Sequence, residues 1–397
     1  MDLLRFPRVI VLMILFSFLS TAAVVFTPAF PLLARDFGLS AQDEQWVMTI
    51  FLLGTAFGRL PYGPIANRIG RKKTLYLGLW ISFLGTLIIL YADSYFILCF
   101  GRLVQALGCA VTLKIGYTMV ADLHAGSAAT KVLSYAMLAY AVLPGIATSV
   151  SGYLTESYGW EGGFWAFLIF NFFVILSCTC LPETIKEKDL HALKIKKIAS
   201  AYMSQFKDPY LVMWGSLMGL STAVLFIFSQ QAPFLAIDIL GMTPQQYGVM
   251  YLIPAFGIAG GSFLTAWLAD RCSAMSGMFL GILILFFGSA AMAIFFLIPW
   301  ASGFALFLPQ VFIHLGDALL YTNASSKGLT EATDKSNASA IMLFINSLGG
   351  VLGTFLVGVL APKTLISLPL SFLIIVVLMI VLWLMVRSRK RRRQQGS

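Results

Sequence analysis

Apolar runs of about twenty residues recur along almost the whole chain, broken at clusters of charge, glycine and proline, and they leave few options for the fold. A helix needs about 20 apolar residues to cross a bilayer, because every backbone N–H and C=O must find its partner inside the segment. Reading the breaks places spans at residues 8–34, 45–66, 74–92, 95–121, 131–154, 163–181, 210–237, 245–268, 275–298, 301–324, 337–361 and 364–386. With 59% hydrophobic and 11% charged residues, a soluble domain of this length lacks the polar side chains to cover its surface, so lipid must do so. The expected fold class is an all-α membrane protein of twelve transmembrane helices. The first run, Val9 to Phe30, is too long for the apolar core of a signal peptide and is read as the first span.

Orientation follows from the basic residues. An N-terminus on the cytoplasmic side puts 23 of the 27 Lys and Arg inside and only Arg35 and Lys363 outside, leaving Arg102 and Lys114 within spans. Both termini are then cytoplasmic and the protein sits in the bacterial inner membrane. The net charge of +10 is a topology signal and a contact for anionic lipids at the cytoplasmic face, with no nucleic acid implied. Asp122 and His124, at the inner end of the fourth span, read as solvated loop residues.

One long polar stretch, Pro182 to Pro209, divides the spans six and six; it reads as a surface-lying linker helix with a basic patch at Lys194, Lys196 and Lys197. The expected organisation is an N-terminal six-helix bundle at 1–181, a cytoplasmic linker at 182–209, a C-terminal bundle at 210–386 and a basic tail at 387–397. The halves also repeat: Gly58, Asn67 and Arg68 return at an offset of 203 as Gly261, Asp270 and Arg271. Repeated bundles about a central linker are the architecture of alternating-access carriers.

Chemistry of other kinds is not encoded. The five cysteines fall in or beside apolar runs, and Cys178-Thr-Cys180 has no metal or redox spacing, so no metal site is expected. No phosphate-cradling Gly-Lys-Ser/Thr loop, His-Glu-x-x-His or Gly-x-Ser-x-Gly is present. The expectation is a protein that is not an enzyme, needs no cofactor and draws energy from an ion or substrate gradient.

The stretch from Gly63 through Asn67, Arg68, Gly70, Arg71, Lys72 and Lys73 resembles the signature loop of the major facilitator superfamily, with Asn67 where the family carries aspartate. Asparagine accepts a hydrogen bond but forms no ion pair, so the lock between bundles is expected to be weaker in this half. Arg102, Gln105 and Gly108 resemble a pattern of proton-coupled members. Thr27-Pro28-Ala-Phe-Pro31, Gly159-Trp160 and Phe164 resemble the bicyclomycin-resistance type of drug:proton antiporter. Pro144-Gly145 with Gly152 is a partial antiporter signature, Leu143 replacing its glycine. Ala22 to Phe26 lacks the helix 1 aspartate of such relatives, so no proton site lies there.

The resemblance implies a cavity lined by helices 1, 4, 7 and 10. Intramembrane ionisable residues are costly and therefore functional candidates. Arg102 and Lys114 lie in helix 4, and His314 and Asp317 in helix 10, where their i, i+3 spacing makes them neighbours. Asp317, His314 and Arg102 are the proton-coupling candidates. Lys114, Tyr117, Gln230, Gln231, Tyr321 and Asn323 are the substrate contacts. Gly63, Asn67, Arg68, Gly70, Arg71, Asp270, Arg271 and Pro144 are the conformational-switch positions. The leading expectation is a monomeric proton-coupled exporter of a small organic molecule, either a drug or an anion such as a polycarboxylate or carboxylate siderophore. The alternatives are an importer of the same fold and, less favoured, a receptor or scaffold that transports nothing.

Overall fold

A computed structural model describes residues 6–39, 41–123, 126–185, 187–189, 192–194, 203–298, 302–331, 335–360 and 364–395. Among the described residues all regular structure is helical. The helices are α1 (Phe6–Val24), α2 (Phe30–Asp36), α3 (Ala41–Ile69), α4 (Arg71–Leu90), α5 (Tyr95–Leu123), α6 (Gly126–Tyr158), α7 (Glu161–Ser177), α8 (Pro209–Phe234), α9 (Pro244–Met250), α10 (Leu252–Leu268), α11 (Ala274–Phe296), α12 (Gly303–Glu331), α13 (Lys335–Leu360) and α14 (Ser367–Gln395). Eleven helical stretches among the described residues are long and apolar enough to cross a membrane. Helix α3 has the length but not the apolarity, because Arg59, Pro61, Tyr62 and Pro64 dilute its apolar side chains.

Several expected spans are not single helices. The first breaks after Val24 into a 3-10 turn at Thr27–Ala29 and then α2, since Pro28 and Pro31 donate no backbone hydrogen bond. Helix α8 passes through Pro233 into a π turn at Leu235–Ile239, and the chain then turns at Gly241, whose φ of +68 suits glycine. Within the expected linker at 182–209, the described residues up to Lys194 are irregular, whereas Met203–Phe206 are helical. Lys196, Lys197 and His124 lie outside the described residues.

The chain forms two compact units: Met1–Ala199 with Thr243–Leu252, and Ser200–Met242 with Ile253–Ser397. In the first, α5 packs against α3 and α4, and α1 against α6. Glycine permits these close approaches: a Cβ on Gly58 would press on Ala110, one on Gly78 on Val111, and one on Gly85 or Gly108 would collide with the Gln105 or Ser82 amide nitrogen. In the second unit, α12 packs against α11 and α8, and α8 against α13. There Gly261 presses on Leu315 and Ala318, Gly281 on Gly316 and Leu319, and Gly288 on Ile313.

These contacts repeat with a register. Gly54, Gly58, Gly78 and Gly85 correspond at the offset of 203 to Gly257, Gly261, Gly281 and Gly288, and each sits at the equivalent helix crossing. Their partners on α5 and α12 correspond at a second offset, 208, since Leu107 and Ala110 become Leu315 and Ala318. The repeat is thus a repeat of helix packing, not of motif residues alone.

Candidate functional site

Besides the signature loop, three groups of polar side chains lie within the long apolar helices. The first centres on Arg102, which has no exposed surface. Its Nη1 donates to Gln105 Oε1 at 2.7 Å and to the Ala22 carbonyl at 3.2 Å. Its guanidinium carbon lies 4.1 Å from the Phe26 ring centre and 4.2 Å from that of Phe51. Gln105 in turn donates to Thr86 Oγ1 at 2.9 Å. Among the described residues no carboxylate pairs with Arg102, and its Nε and Nη2 find no hydrogen-bond partner. A cation boxed between two rings is stabilised by their negative faces, but it touches no open surface.

The signature loop joins α3 to α4 through Gly70, whose φ of +111 excludes other residues without strain. Asn67 Oδ1 accepts from Arg71 Nη1 at 2.6 Å, and Arg71 Nε lies 3.6 Å from Asp122 Oδ2. Glu183 accepts from the backbone amides of Arg71 and Lys72, placing its charge on the amino end of α4. The segment after α7 is strapped back by Asp189 N to the Asn67 carbonyl and by Thr184 Oγ1 to Asp122 Oδ2. Asp122 is exposed, as expected, but it is not a loop residue: it lies in the last turn of α5 and is the partner of Arg71. Arg68 is exposed. Pro144 lies inside α6, where its carbonyl accepts from Thr148 at 2.8 Å. Five residues beyond Pro144, Ser149 Oγ donates to the Gly248 carbonyl on α9 at 2.7 Å.

A second cluster in the same unit holds Lys114 and Tyr117 of α5. Lys114 Cε packs under Gly63 of α3, and the residue lies within electrostatic reach of Arg71. No carboxylate among the described residues pairs with it. The Tyr117 ring, 43% exposed, stands edge-on to Phe16 with centroids 4.6 Å apart, within electrostatic reach of Tyr140 and Arg59.

The third group belongs to the second unit. Asp317 and His314 are both buried, at 9% and 3% exposure, yet no hydrogen bond joins them among the described residues. His314 Nδ1 instead lies 3.3 Å from the Pro254 carbonyl, fixing the ring against α10, and its other face meets Phe228 with centroids 5.8 Å apart. Asp317 lies beside Ser221 of α8. Among the described residues no cation pairs with Asp317, and its Oδ1 has no partner. Gln310, one turn before His314 and at the repeat position of Arg102, has neither amide atom bonded, and Gln231 Oε1 on α8 is also without a partner. Gln230 is buried and Tyr321 half-buried. Asn323 sits on a different face of α12: its amide packs on Gly277 of α11 and donates to the Leu319 carbonyl, which makes it a helix-packing residue. Asp270 is exposed, and Arg271 folds over Trp267 at 4.1 Å while donating to its carbonyl.

Sequence reading did not single out Gln310, Ser221 or Glu183. Gln310 was signalled by its i, i+4 spacing to His314; Ser221 and Glu183 carry no local signal, since their partners are remote in the chain. All five cysteines are free, and no group of three or more metal-ligating side chains occurs among the described residues.

Comparison with known proteins places this geometry. Residues 10–327 match the Major Facilitator Superfamily. An uncharacterised transporter of Rickettsia felis is 28% identical over 66% of this chain, a match that spans 64% of that relative's length. A bicyclomycin resistance protein homolog of Haemophilus influenzae is 24% identical over 72% of this chain and 73% of its own. In fold, the crystal structure of a D-xylose-proton symporter superposes with a TM-score of 0.73 at 14% identity, covering 94% of this chain and 97% of the symporter.

Proposed function

Because the chain belongs to the major facilitator superfamily, a family of transporters and not of enzymes, we propose that it is a secondary active exporter exchanging a small organic molecule for protons. It is a multi-pass protein of the bacterial inner membrane, with relatives of the drug-resistance type. The proposed cargo is a drug or an organic anion such as a polycarboxylate. The proposed topology has twelve spans, both termini and the 182–209 linker in the cytoplasm, bundles at 1–181 and 210–386, and a basic tail at 387–397 against anionic lipid, in a monomer.

The observation that carries the reading is Asp317, a carboxyl group buried within a membrane-spanning helix with, among the described residues, no cation beside it and one oxygen without a partner. A charged carboxylate in such a place demands water or a counter-ion, whereas a protonated one does not, so gaining and losing a proton changes which surroundings the helix tolerates. We assign Asp317, with His314 and Arg102, to proton coupling. Lys114, Tyr117, Gln230, Gln231 and Tyr321 are assigned to the cargo. Gly63, Asn67, Arg68, Gly70, Arg71, Asp270, Arg271 and Pro144 are assigned to the change of state. The likeness to a bicyclomycin resistance protein homolog supports export. The runner-up is proton-coupled uptake of a nutrient or metabolite, supported by the fold shared with a xylose-proton symporter.

The test is flux into proteoliposomes with a pH gradient imposed in either direction, across anionic, neutral and cationic compounds. One proton per molecule sustains roughly a tenfold accumulation per pH unit, since one unit is worth about 1.4 kcal/mol. Asp317→Asn is expected to abolish that accumulation while leaving exchange of labelled for unlabelled compound. Accumulation equal to the parent's would remove Asp317 from the coupling step.

A further inference from the structure

We propose that the second unit carries a site for a primary ammonium group, built from Asp317 and His314 of α12 and Ser221 of α8, with Gln310 further along α12 to hold a neutral polar group of the same ligand. The inference rests on the transport reading and names the head group of the cargo: an organic amine with N–H donors, as against a quaternary cation or an anion.

Hydrogen-bond accounting carries the argument. Asp317 Oδ1, Ser221 Oγ, His314 Nε2 and both amide atoms of Gln310 have no partner among the described residues, and all four side chains are more than nine-tenths buried. Proteins seldom leave buried polar atoms so, because each has given up its bonds to water and gained none in return. Four of these five atoms sit within two turns of a single helix. Such a group is a site that lacks its ligand's half of the bonds.

The crossing of α8 and α12 brings the group together. Phe228 of α8 meets Phe307 with ring centroids 6.0 Å apart and His314 at 5.8 Å, so Gln310, between those two on the same face of α12, lies in the same crossing. Ser221 stands seven residues before Phe228, on the same side of α8, and lies beside Asp317 without closing a hydrogen bond to it. Asp317 keeps 9% exposure and Tyr321, one turn beyond it, is half-buried, so the approach to the carboxylate is from the Tyr321 end.

The atoms left over select the ligand. The Pro254 carbonyl can only accept, so His314 Nδ1 is assigned the hydrogen, and a neutral ring then presents Nε2 as an acceptor. Asp317 Oδ1 is a second acceptor and Ser221 Oγ a third. A primary ammonium has three N–H donors and no acceptor, and it brings the positive charge that Asp317 lacks among the described residues. A carboxylate ligand would meet acceptors and like charge, and a quaternary ammonium would leave all three atoms unsatisfied. Gln310 stands about 10 Å along the helix from Asp317 and almost on the same side of it. Its amide, donor and acceptor together, suits a hydroxyl or amide at the far end of the ligand.

The test is equilibrium binding to the purified full chain in detergent and needs no flux. The probe is radiolabelled 2-phenylethylamine, and the competitors are its N,N,N-trimethyl derivative, which keeps the charge and loses the donors, and 3-phenylpropionate. The primary amine is expected to bind at least about tenfold more tightly than the trimethyl derivative, and the acid not to compete. Tyramine, with a hydroxyl at its far end, should bind severalfold more tightly than 2-phenylethylamine, a gain that disappears in Gln310→Leu. Asp317→Asn should weaken the amine at least about tenfold and Ser221→Ala severalfold, the serine variant serving should the first not fold. Exchange of labelled for unlabelled compound in Asp317→Asn then needs concentrations above the raised Kd. No binding of the amine, equal competition by its trimethyl derivative, unchanged affinity in both variants, or a tyramine gain that is absent from the parent or kept in Gln310→Leu would each overturn the site. Failure of proton-driven flux in liposomes, with this binding pattern intact, would strike the transport reading instead.

Discussion

Arg102 offers a substitution whose outcome separates a structural strut from a working charge. In its favour are two ring faces at 4.1 and 4.2 Å, worth about 2 kcal/mol each when desolvated, and a charge-assisted bond to Gln105 worth about 1.5–3 kcal/mol. Against it stand the burial of a cation without a carboxylate, which costs several kcal/mol, and two donor atoms without partners at about 1–3 kcal/mol each. The costs equal or exceed the gains. Methionine at this position keeps the apolar stem and a sulfur between the rings, and removes the unpartnered donors; its own cost is a Gln105 oxygen left without Arg102, about 1–3 kcal/mol. Arg102→Met is therefore expected to fold within about 2 kcal/mol of the parent, whereas Arg102→Ala leaves a hollow and loses about 2–5 kcal/mol. Thermal unfolding of purified protein, followed by the fluorescence of its eight tryptophans, reads the difference. Flux in proteoliposomes should meanwhile fall at least tenfold in the methionine variant, because a charge the fold does not need is kept for a step of the cycle. If Arg102→Met melts as low as Arg102→Ala while Arg102→Lys melts like the parent, the cation holds the bundle together and the reasoning fails.

Gly108→Ala should destabilise by about 1–3 kcal/mol or more, because the added methyl meets the Ser82 amide and the Gly78 carbonyl, backbone that cannot yield. Gly260→Ala, facing only a Leu315 methyl at 3.7 Å, should leave the melting temperature unchanged; equal effects for the two would deny that the close helix crossing matters. A reporter enzyme active only in the periplasm, fused after Ser397, should stay silent, whereas one fused at Lys363 should be active; the reverse pattern would invert the topology.

What the chain disclosed by itself followed how local each interaction is. Helices announced themselves because lipid leaves the backbone no alternative; the break at Pro28 and Pro31 inside the expected span 8–34 went unread, although a missing N–H is a property of one residue. Asp122 is exposed as read, but its partners were missed because Arg71 and Thr184 lie 51 and 62 residues away and only folding brings them to the end of α5. His314 and Asp317 were found by spacing, but spacing says only that two residues share a face, and the imidazole turned to the Pro254 carbonyl on another helix. The second span was read as 45–66, and α3 is seen to continue through Pro61 and Pro64 to Ile69. The repeat was glimpsed in three residues and carried by many more. In a chain with 34 glycines a glycine recurring at a fixed offset is weak testimony, until each is found at a crossing where a methyl group would collide with its neighbour. Two equivalent packings built from different side chains then explain how the halves diverged: the crossings are conserved by sterics, which leaves position 102 free to hold arginine and its counterpart 310 free to hold glutamine.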